Sequence, residues 1–392
     1  MRSAAFVWDD ALATYRFHPE HPLNPRRLEL AVDLMGRLGL LEGDGCTVVA
    51  PRRAVDRDVL LAHAPEFVEA VRRASSSGAS SASSLHFGLG TEDVPVVRGM
   101  HEAALGVVGS TLRAAEEVMT GRATVAFSMA GGLHHARRAE AAGFCVYNDL
   151  AVAIRWMQRE FGARVLYIDI DAHHGDGVQW IFYEDPDVLT VSYHESGVYL
   201  FPGTGFVEEM GEGDGHGYSV NVPLDAHTED DSFLAAFSGL VPELADAFRP
   251  DAILLQAGCD AHVLDPLTHL RCTTGLYERL VRIVAELADT HCDGRLIVTG
   301  GGGYAIYRVV PRAWSLVWAA ARGIEPADAL PEEWLKAMRV ESGKEMPALL
   351  RDPAGAFEPA PRRAEVEDTN RRTVSAVRRR VLPLLTGWGL GF

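Results

Sequence analysis

Apolar residues along the chain follow two alternating patterns. Short runs of four to six mostly apolar residues are typical of buried strands, and longer segments with apolar residues at helical spacing are typical of amphipathic helices. The strand-like runs are residues 4–8, 46–50, 124–128, 165–170, 188–193, 252–256 and 296–299. The helical patterns lie at about residues 27–38, 96–119, 150–161, 230–248, 275–288 and 304–321. This alternation predicts an α/β fold, with a mostly parallel, doubly wound sheet and helices on both faces.

The rest of the chain is consistent with one domain over residues 1–392. A serine-rich patch at residues 75–84 is predicted to be a flexible loop. Residues 323–361 are rich in proline, alanine and acidic residues, and we expect them to wrap the surface. A last amphipathic helix at about residues 363–384 has an apolar face for packing and a basic face for solvent.

Composition narrows the class of partner. The formal net charge of −17 argues against non-specific binding to nucleic acid or to an anionic membrane, because both require positive surface. Apolar runs stay well short of the roughly 18 residues of a membrane span, so we expect a cytoplasmic protein. The five cysteines include no C-x-x-C pair and form neither a disulfide framework nor a zinc ribbon.

The end of the fourth predicted strand carries the densest cluster of ionisable side chains. Five of them fall within eight positions, namely Asp169, Asp171, His173, His174 and Asp176. Burying so many such groups is costly unless they are paired or hold a cation. Asp171 and His173, two residues apart, can direct a carboxylate and an imidazole at one metal ion such as zinc. Asp260 follows a glycine at another strand end and is the natural third ligand, with a helix N-cap as its alternative role.

Two further strand ends combine glycines with catalytic residue types. After residues 124–128, two glycines precede His134 and His135, one of which can act as a base. A hydrogen-bonded polar corner is the alternative. After residues 296–299, four glycines run into Tyr304, which is predicted to open a helix. A phosphate loop is conceivable there, but the Lys-Ser/Thr of such loops is missing, and a phenol held over a metal site could instead donate to a developing oxyanion.

Six motifs in order resemble the zinc-dependent histone deacetylase superfamily, most closely the bacterial acetoin-utilisation-type deacetylases. They are G-G-L-H-H-A (131–136), G-F-C-V-Y-N-D (143–149), D-I-D-A-H-H-G-D-G (169–177), L-F-P-G-T-G (200–205), G-C-D (258–260) and G-G-G-G-Y (300–304). The resemblance runs from about residue 18 to residue 318 and implies the arginase/deacetylase-like form of the α/β fold. The last seventy residues match no functional motif of the family.

The resemblance implies a role for each strand-end residue. It assigns metal ligation to Asp171, His173 and Asp260. His135, paired with Asp176, would be the general base and later the acid that protonates the leaving amine. His134, paired with Asp169, would be its electrostatic partner, and Tyr304 would donate to the tetrahedral oxyanion.

The substrate residues are likewise implied by the resemblance. Phe144 and Phe201 would form facing aromatic walls around the acyl-lysine stem, with the Gly143 carbonyl accepting from its amide N–H. Leu267 would lie at the rim, where lysine deacetylases are apolar. Asp93 would hold the substrate backbone, with Glu92 as the alternative residue for that role. Arg27 would line an internal acetate exit or simply start a helix.

Relatives also bind a structural monovalent cation, K⁺, near the metal. The matching residues here are Asp169, Asp171, His173, Ser192 and Tyr193. One departure from the family is Ala305, where many relatives have asparagine after the tyrosine.

The resemblance therefore implies hydrolysis of the amide of acetyl-lysine in proteins, with Zn²⁺ as the cofactor and Fe²⁺ as an alternative in the cell. An acetylpolyamine or another small acyl-amine is the alternative substrate. Two other classes remain open. One is a binuclear manganese ureohydrolase of arginase type, which needs a later D-x-D where this chain has Gly258-Cys259-Asp260-Ala261. The other is a non-catalytic acyl-lysine binder. The oligomeric state is not predicted.

Overall fold

The computed structural model describes residues 2–43 and 45–387, and within these ranges the sheet has eight strands. The strands are Ala4–Val7 (β1), Cys46–Val49 (β2), Val125–Ser128 (β3), Val165–Asp169 (β4), Val188–Glu195 (β5), Ser219–Leu224 (β6), Ala252–Gln256 (β7) and Leu296–Thr299 (β8). Their order across the sheet is β2-β1-β3-β8-β7-β4-β5-β6, and every neighbouring pair is parallel. The predicted parallel sheet is confirmed.

All seven predicted strands are present, with ends that differ by at most two residues. The strand that the pattern missed is β6, which forms one edge of the sheet. Its sequence contains Asn221 and Pro223, which interrupt the apolar run. Proline is tolerated on edge strands because one side of such a strand has no ladder to donate to.

Helices connect the strands on both sides of the sheet. They are Arg26–Arg37 (α1), Asp56–Val59 (α2), Pro65–Ser77 (α3), Ala82–Leu85 (α4), Met100–Met119 (α5), Asp149–Phe161 (α6), Asp176–Ile181 (α7), Asp230–Ser238 (α8), Val241–Phe248 (α9), Thr274–His291 (α10), Val310–Arg322 (α11), Glu332–Ser342 (α12) and Arg363–Leu385 (α13). Within the described ranges, no helix combines the length and apolarity that crossing a membrane requires.

Two helix predictions need correction, and one predicted surface segment contains an additional helix. The pattern at 230–248 is two helices, because Gly239 ends α8 and Pro242 lies in the first turn of α9. Tyr304 does not open a helix: residues 304–309 form irregular structure and a turn, and α11 begins only at Val310. The expected wrap at 323–361 contains α12.

The serine-rich patch at 75–84 is more regular than predicted. It comprises the last turn of α3, a left-handed Gly78 that ends this helix, and the start of the one-turn α4. Ser81 caps α4 by accepting from the Ser84 N–H at 3.1 Å. Serine here acts as a helix cap, a role in which its short hydroxyl is favoured.

Alternate residues along the strands pack into separate cores on the two faces of the sheet. Phe6 and Phe127 lie in the core that α1, α8, α9, α10, α11 and α13 cover. Their neighbours Ala5 and Ala126 lie in the core that α3, α5 and α6 cover. Both faces are thus buried, as expected for a doubly wound parallel sheet. A third, smaller core joins α12 to α1 and α11 around Trp334.

The C-terminal segment is bonded to the sheet domain through Asp352. This buried carboxylate accepts from Arg312 Nη1 at 2.9 Å, from His262 Nε2 at 2.8 Å and from the Thr274 N–H at 3.0 Å. Burial raises the pKa of Asp352, but His262 and Arg312 outweigh burial and hold it well below the usual range. The contribution to stability is therefore complete at neutral pH and is lost as the pH falls through this depressed pKa.

We expect Asp352→Ala to destabilise the protein by about 3–5 kcal/mol, because Arg312 would remain as a buried, unpaired charge. Thermal and urea unfolding at neutral pH measure the effect. Asp368→Ala is the control, since Asp368 is half-exposed and pairs with the surface residues Arg371 and Arg372. Equal unfolding midpoints for the two variants would contradict this prediction.

Candidate active site

The candidate site lies where four neighbouring strands end. β3, β8, β7 and β4 are adjacent in the sheet, and the loop after each one carries residues that the sequence singled out. Because parallel strands place their carboxyl ends at one edge, these loops converge. The structure therefore brings together four segments that are far apart in the chain.

Asp171, His173 and Asp260 form a buried triad. One ligand atom from each lies within 4.8 Å of the others. His173 Nδ1 is 2.9 Å from Asp260 Oδ2 and 3.2 Å from Asp171 Oδ1. Burial lowers the pKa of His173, yet the carboxylates of Asp260 and Asp171 outweigh burial and raise it well above the ordinary value. The electrostatics of the triad thus favour a positive charge at this point.

The surroundings of the triad fit a metal ion. A Cβ atom at Gly258 would lie 2.0 Å from Asp171 Oδ2, and a Cβ atom at Gly302 would lie 2.0 Å from Asp260 Oδ2, so both loops need glycine there. Asp171 Oδ2 accepts from Gln256 Nε2 at 2.8 Å and from the Gly302 N–H at 2.7 Å. These bonds orient the carboxylate. Two carboxylates and one imidazole are a donor set that zinc accepts, with room for exchangeable ligands.

His134 and His135 lie beside the triad as two histidine–carboxylate pairs. His134 Nδ1 is 2.8 Å from Asp169 Oδ2, and His135 Nδ1 is 2.8 Å from Asp176 Oδ1. The two Nε2 atoms are 3.0 Å apart. If each Nδ1 carries the proton that its carboxylate requires, one shared proton lies between the two Nε2 atoms.

The two imidazoles have opposite proton affinities. Burial lowers the pKa of His134, but the carboxylates of Asp169 and Asp171 outweigh it and raise the pKa to about 9. Burial, and next the neighbouring His134, lower the pKa of His135 to about 4. At neutral pH His134 therefore holds the shared proton, and His135 is the neutral imidazole.

The histidine loop is held by residues to which the sequence assigned no role. The buried Asp149 accepts from the Gly132 and Leu133 N–H groups at 3.0 and 2.8 Å and from Thr111 Oγ1 at 2.6 Å. Asn148 Nδ2 donates to the His134 carbonyl at 3.2 Å. Asn148 and Asp149 close the G-F-C-V-Y-N-D motif, so a signal was present, but their loop contacts are visible only in three dimensions.

Tyr304 lies on the other side of the triad, with its ring centroid 6.5 Å from that of His173. Burial, followed by the carboxylates of Asp260 and Asp171, raises the pKa of the phenol well above its ordinary value, so the hydroxyl stays a donor. The glycines before it are fixed by the buried Arg27, whose Nη1 donates to the Gly301 and Gly303 carbonyls at 2.8 and 3.1 Å. Arg27 also lies in the first turn of α1, the helix-start position that was its alternative role, and the acetate exit stays a prediction.

The two predicted aromatic walls each pack against a different candidate catalytic residue. The Phe144 ring is 5.8 Å from Tyr304, and the Phe201 ring is 5.0 Å from His135. Phe201 is 44% exposed, so this wall extends to the surface. Gly143 must be glycine because a Cβ atom there would lie 2.3 Å from the His135 ring; its carbonyl accepts a weak bond from Cys145 Sγ at 3.2 Å.

The predicted rim residues lie on two loops, one after β7 and one before α5. Leu267 is half-buried on the loop after β7, and Asp93 and Glu92 are exposed. The Asp93 carbonyl is 3.2 Å from His21 Nε2, and the His21 ring packs 4.6 Å from Phe144. The segment with Asp93 and Glu92 is thus next to the Phe144 wall.

The residues predicted to hold a monovalent cation lie on β4 and β5 and on the loop after β4. Asp169 pairs with Ser192 in the parallel ladder. Ser192 Oγ is 2.8 Å from His194 Nδ1, and the Tyr193 hydroxyl donates to the Ala236 carbonyl at 3.2 Å on the far face of the sheet. Only the main chain of Tyr193 is therefore available to a cation at the predicted position.

Comparison with known proteins places this geometry in a family. Residues 21–321 match the histone deacetylase domain. The chain is 48% identical to the acetoin utilization protein AcuC of Bacillus subtilis (strain 168) and 40% identical to AcuC of Staphylococcus xylosus, in each case over 96% of this chain and 96–97% of the relative. The crystal structure of a histone deacetylase homologue from Aquifex aeolicus superposes with a TM-score of 0.84 at 31% identity, covering 95% of this chain and all of the other.

The family that the six motifs indicated is thereby confirmed, and the arrangement of strand ends is that of the family's fold. The chain belongs to the histone deacetylase family and, within it, is similar to the acetoin utilization proteins AcuC.

Proposed function

We propose that this chain is a metal-dependent lysine deacetylase that hydrolyses the amide of acetyl-lysine in proteins. The observation that carries the proposal is that His135, neutral by its lowered pKa, and the protonated Tyr304 both lie next to His173 of the Asp171–His173–Asp260 triad, and that each of them packs against an aromatic ring. These are the parts that hydrolysis of an unactivated amide requires. Their joint presence favours an enzyme over a non-catalytic binder.

Asp171, His173 and Asp260 would hold the metal, Zn²⁺ or in the cell Fe²⁺. When bound, such a cation polarises a carbonyl and lowers the pKa of water from 15.7 to about 7. The single carboxylate at the end of β7, Asp260, and the family membership both favour one such metal over the binuclear site of a ureohydrolase.

His135 would move the proton. As a neutral imidazole it accepts a proton from the attacking water and then returns it to the amine of the leaving lysine. The Asp176 carboxylate supports the imidazolium that forms in between, and Arg137 fixes Asp176 through a bond of 2.9 Å from Nη2. His134, already charged through Asp169, would stabilise negative charge beside the reacting carbon.

The opening favours an acyl-lysine stem. Phe144 and Phe201 would contact its methylenes, the Gly143 carbonyl would accept from the amide N–H, and the half-buried Leu267 would face the substrate backbone. Asp93 would hold that backbone by hydrogen bonds. The exposed carboxylates of Glu92 and Asp93 also suit a cationic acetylpolyamine, which is the second candidate substrate.

Substrate turnover separates these candidates. The zinc-loaded protein would be assayed on acetyl-, propionyl- and crotonyl-lysine peptides and on acetylpolyamines, with and without a hydroxamate chelator. We expect the highest kcat/KM on an acetyl-lysine peptide and full inhibition by the hydroxamate. A preference for acetylpolyamines would establish the second candidate, and urea release with two manganese ions per chain would overturn the proposal.

A monovalent cation, K⁺, would complete the proposed site. It would neutralise part of the negative charge of Asp169, which lies two residues before Asp171 of the triad. Acetylated proteins or small acyl-amines are the proposed partners. The negative net charge argues against nucleic acid as a partner. The cytoplasm remains the predicted location.

Tyr304→Phe tests the oxyanion donor. We expect kcat to fall on the order of 100–1,000-fold, which is the typical effect of removing one oxyanion donor from an enzyme. Zinc content should be unchanged, because the phenol is not among the three proposed ligands. Tyr183→Phe, a partly exposed phenol on the segment after α7, is the control. A Tyr304→Phe protein with intact zinc and a near-normal rate would contradict this role.

The pKa of His135 predicts the acid limb of the pH profile. The base must be neutral, so with zinc saturating, kcat/KM should stay level from pH 8 down to about pH 5 and fall as the pH approaches the pKa of about 4. Asp176→Asn removes a group that raises this pKa, so the limb should move to lower pH and the rate should drop. An acid limb centred above pH 6 at saturating zinc would contradict the assignment.

A further inference from the structure

We propose that Asp265 is a positioning residue that holds Tyr304 over the metal triad and links it to the substrate rim. The inference rests on the proposed function, in which the Tyr304 hydroxyl is the oxyanion donor. Asp265 is only 7% exposed and lies on the loop that follows Asp260. Its Oδ2 accepts from the Tyr304 N–H at 2.8 Å, and its Oδ1 accepts from the Leu267 N–H at 3.0 Å.

Tyr304 needs such a partner because the bonds from Arg27 hold the carbonyls of Gly301 and Gly303, which come before Tyr304 in the chain. Four glycines precede it, and Gly301 and Gly303 have φ angles of 155° and 145° that other residues rarely adopt. No regular element encloses Tyr304, since the segment 304–309 is irregular and α11 starts at Val310. The bond from the Tyr304 N–H to Asp265 therefore fixes the backbone position of Tyr304, from which its side chain extends.

The loop that carries Asp265 is itself braced on several sides. The Asp265 N–H donates to the His262 carbonyl at 2.8 Å, and Thr268 Oγ1 donates to the Asp260 carbonyl at 2.6 Å. His269 contacts the buried Glu195 at the end of β5, through Nδ1 at 2.7 Å and its N–H at 2.8 Å. A carboxylate on so constrained a loop can impose a fixed position on Tyr304.

An ionised carboxylate is suited to this role because it offers two acceptor oxygens and no donor. Each oxygen of Asp265 serves one backbone N–H group, one from the rim residue Leu267 and one from Tyr304. An asparagine offers one acceptor, and its amide would meet the second N–H with another donor. Asp265→Asn therefore keeps at most one of the two bonds.

A double-mutant cycle tests the proposal, because a residue that acts through the phenol has no further effect once the hydroxyl is gone. Asp265→Ala would be made in the natural chain and in Tyr304→Phe, which keeps the backbone N–H. With a single acetyl-lysine substrate, we expect kcat to fall about 10-fold in the natural chain and less than about 2-fold in Tyr304→Phe, consistent with the cost of a small misplacement. KM and zinc content should change little.

The outcomes are distinguishable. If Asp265→Ala lowers kcat by the same factor in both backgrounds, or removes the zinc, Asp265 has a general structural role and the inference is overturned. If Tyr304→Phe alone keeps the full rate, the proposed function of the phenol fails first, and the inference with it. Should Asp265→Ala not fold, the same cycle with Asp265→Asn decides the question. Asp58→Ala is the matched control, because Asp58 is a buried carboxylate on α2 that accepts from the Val55 N–H at 2.9 Å and from Arg52.

Discussion

Asp260→Asn is expected to empty the metal site and to lower activity on the order of 1,000-fold or more, because a bound cation would polarise the substrate carbonyl and lower the pKa of the attacking water. The change is nearly isosteric. Asparagine can still accept from the Ala172 N–H, which Asp260 Oδ1 does at 2.8 Å, so the loop should keep its fold. What is lost is one of the two negative charges that face His173. Zinc per chain, measured by atomic emission, and kcat/KM on an acetyl-lysine peptide report the effect.

Asp251→Asn is the matched control for this experiment. Asp251 lies directly before the first residue of β7 and accepts from the Arg164 N–H at 2.8 Å, so it is at the opposite end of this strand from the loop that carries Asp260. The control should keep zinc and rate. An Asp260→Asn protein that binds zinc as tightly as the natural chain and turns over normally would remove the basis of the proposed function.

His135→Ala is expected to lower kcat by about 100–10,000-fold, the usual range for loss of a general acid–base group. The metal should remain, since His135 bonds Asp176 and His134 and none of the three ligands. His134→Ala should cost less, because the charged His134 acts on the reacting carbon only through its field. Single-turnover rates on zinc-loaded protein would measure both.

The comparison of the two histidines is the informative part. Equal losses in His134→Ala and His135→Ala would mean that the pair acts as one unit, and a greater loss in His134→Ala would reverse the assignment of the base. His216→Ala is the control for purification and metal loading, because His216 is exposed and its side chain bonds the Gly211 carbonyl.

The strand-end residues were predictable because a parallel sheet leaves few places for buried charge. Asp171, His173 and Asp260 come shortly after apolar runs. Because parallel strands end at one edge of the sheet, this position was enough to predict that the three residues lie close together. The same rule identified the His134–His135 loop and the glycines before Tyr304.

The contacts that support the site could not be predicted, because they join segments far apart in the chain and no local sequence pattern marks the residues that meet. Thr111 lies in the middle of α5 and resembles any polar residue on a helix, yet it bonds Asp149 under the histidine loop. Asp265 meets Tyr304 across 39 residues. β6 was missed because Asn221 and Pro223 interrupt its apolar pattern, and Tyr304 was wrongly placed in a helix because the run of apolar residues after it looked helical.

The origin of the three ligands in two separate loops has a thermodynamic consequence. Asp171 and His173 follow β4, and Asp260 follows β7, so the ligands meet only when these two strands are paired in register. An unfolded chain cannot offer this set, and free cation therefore shifts the folding equilibrium toward the native state by about 2.7 kcal/mol at one hundred times its dissociation constant. Without the cation, two buried carboxylates repel each other. Apo and holo protein are thus different reference states, and the resistance to denaturant of any variant carries meaning only alongside its metal occupancy.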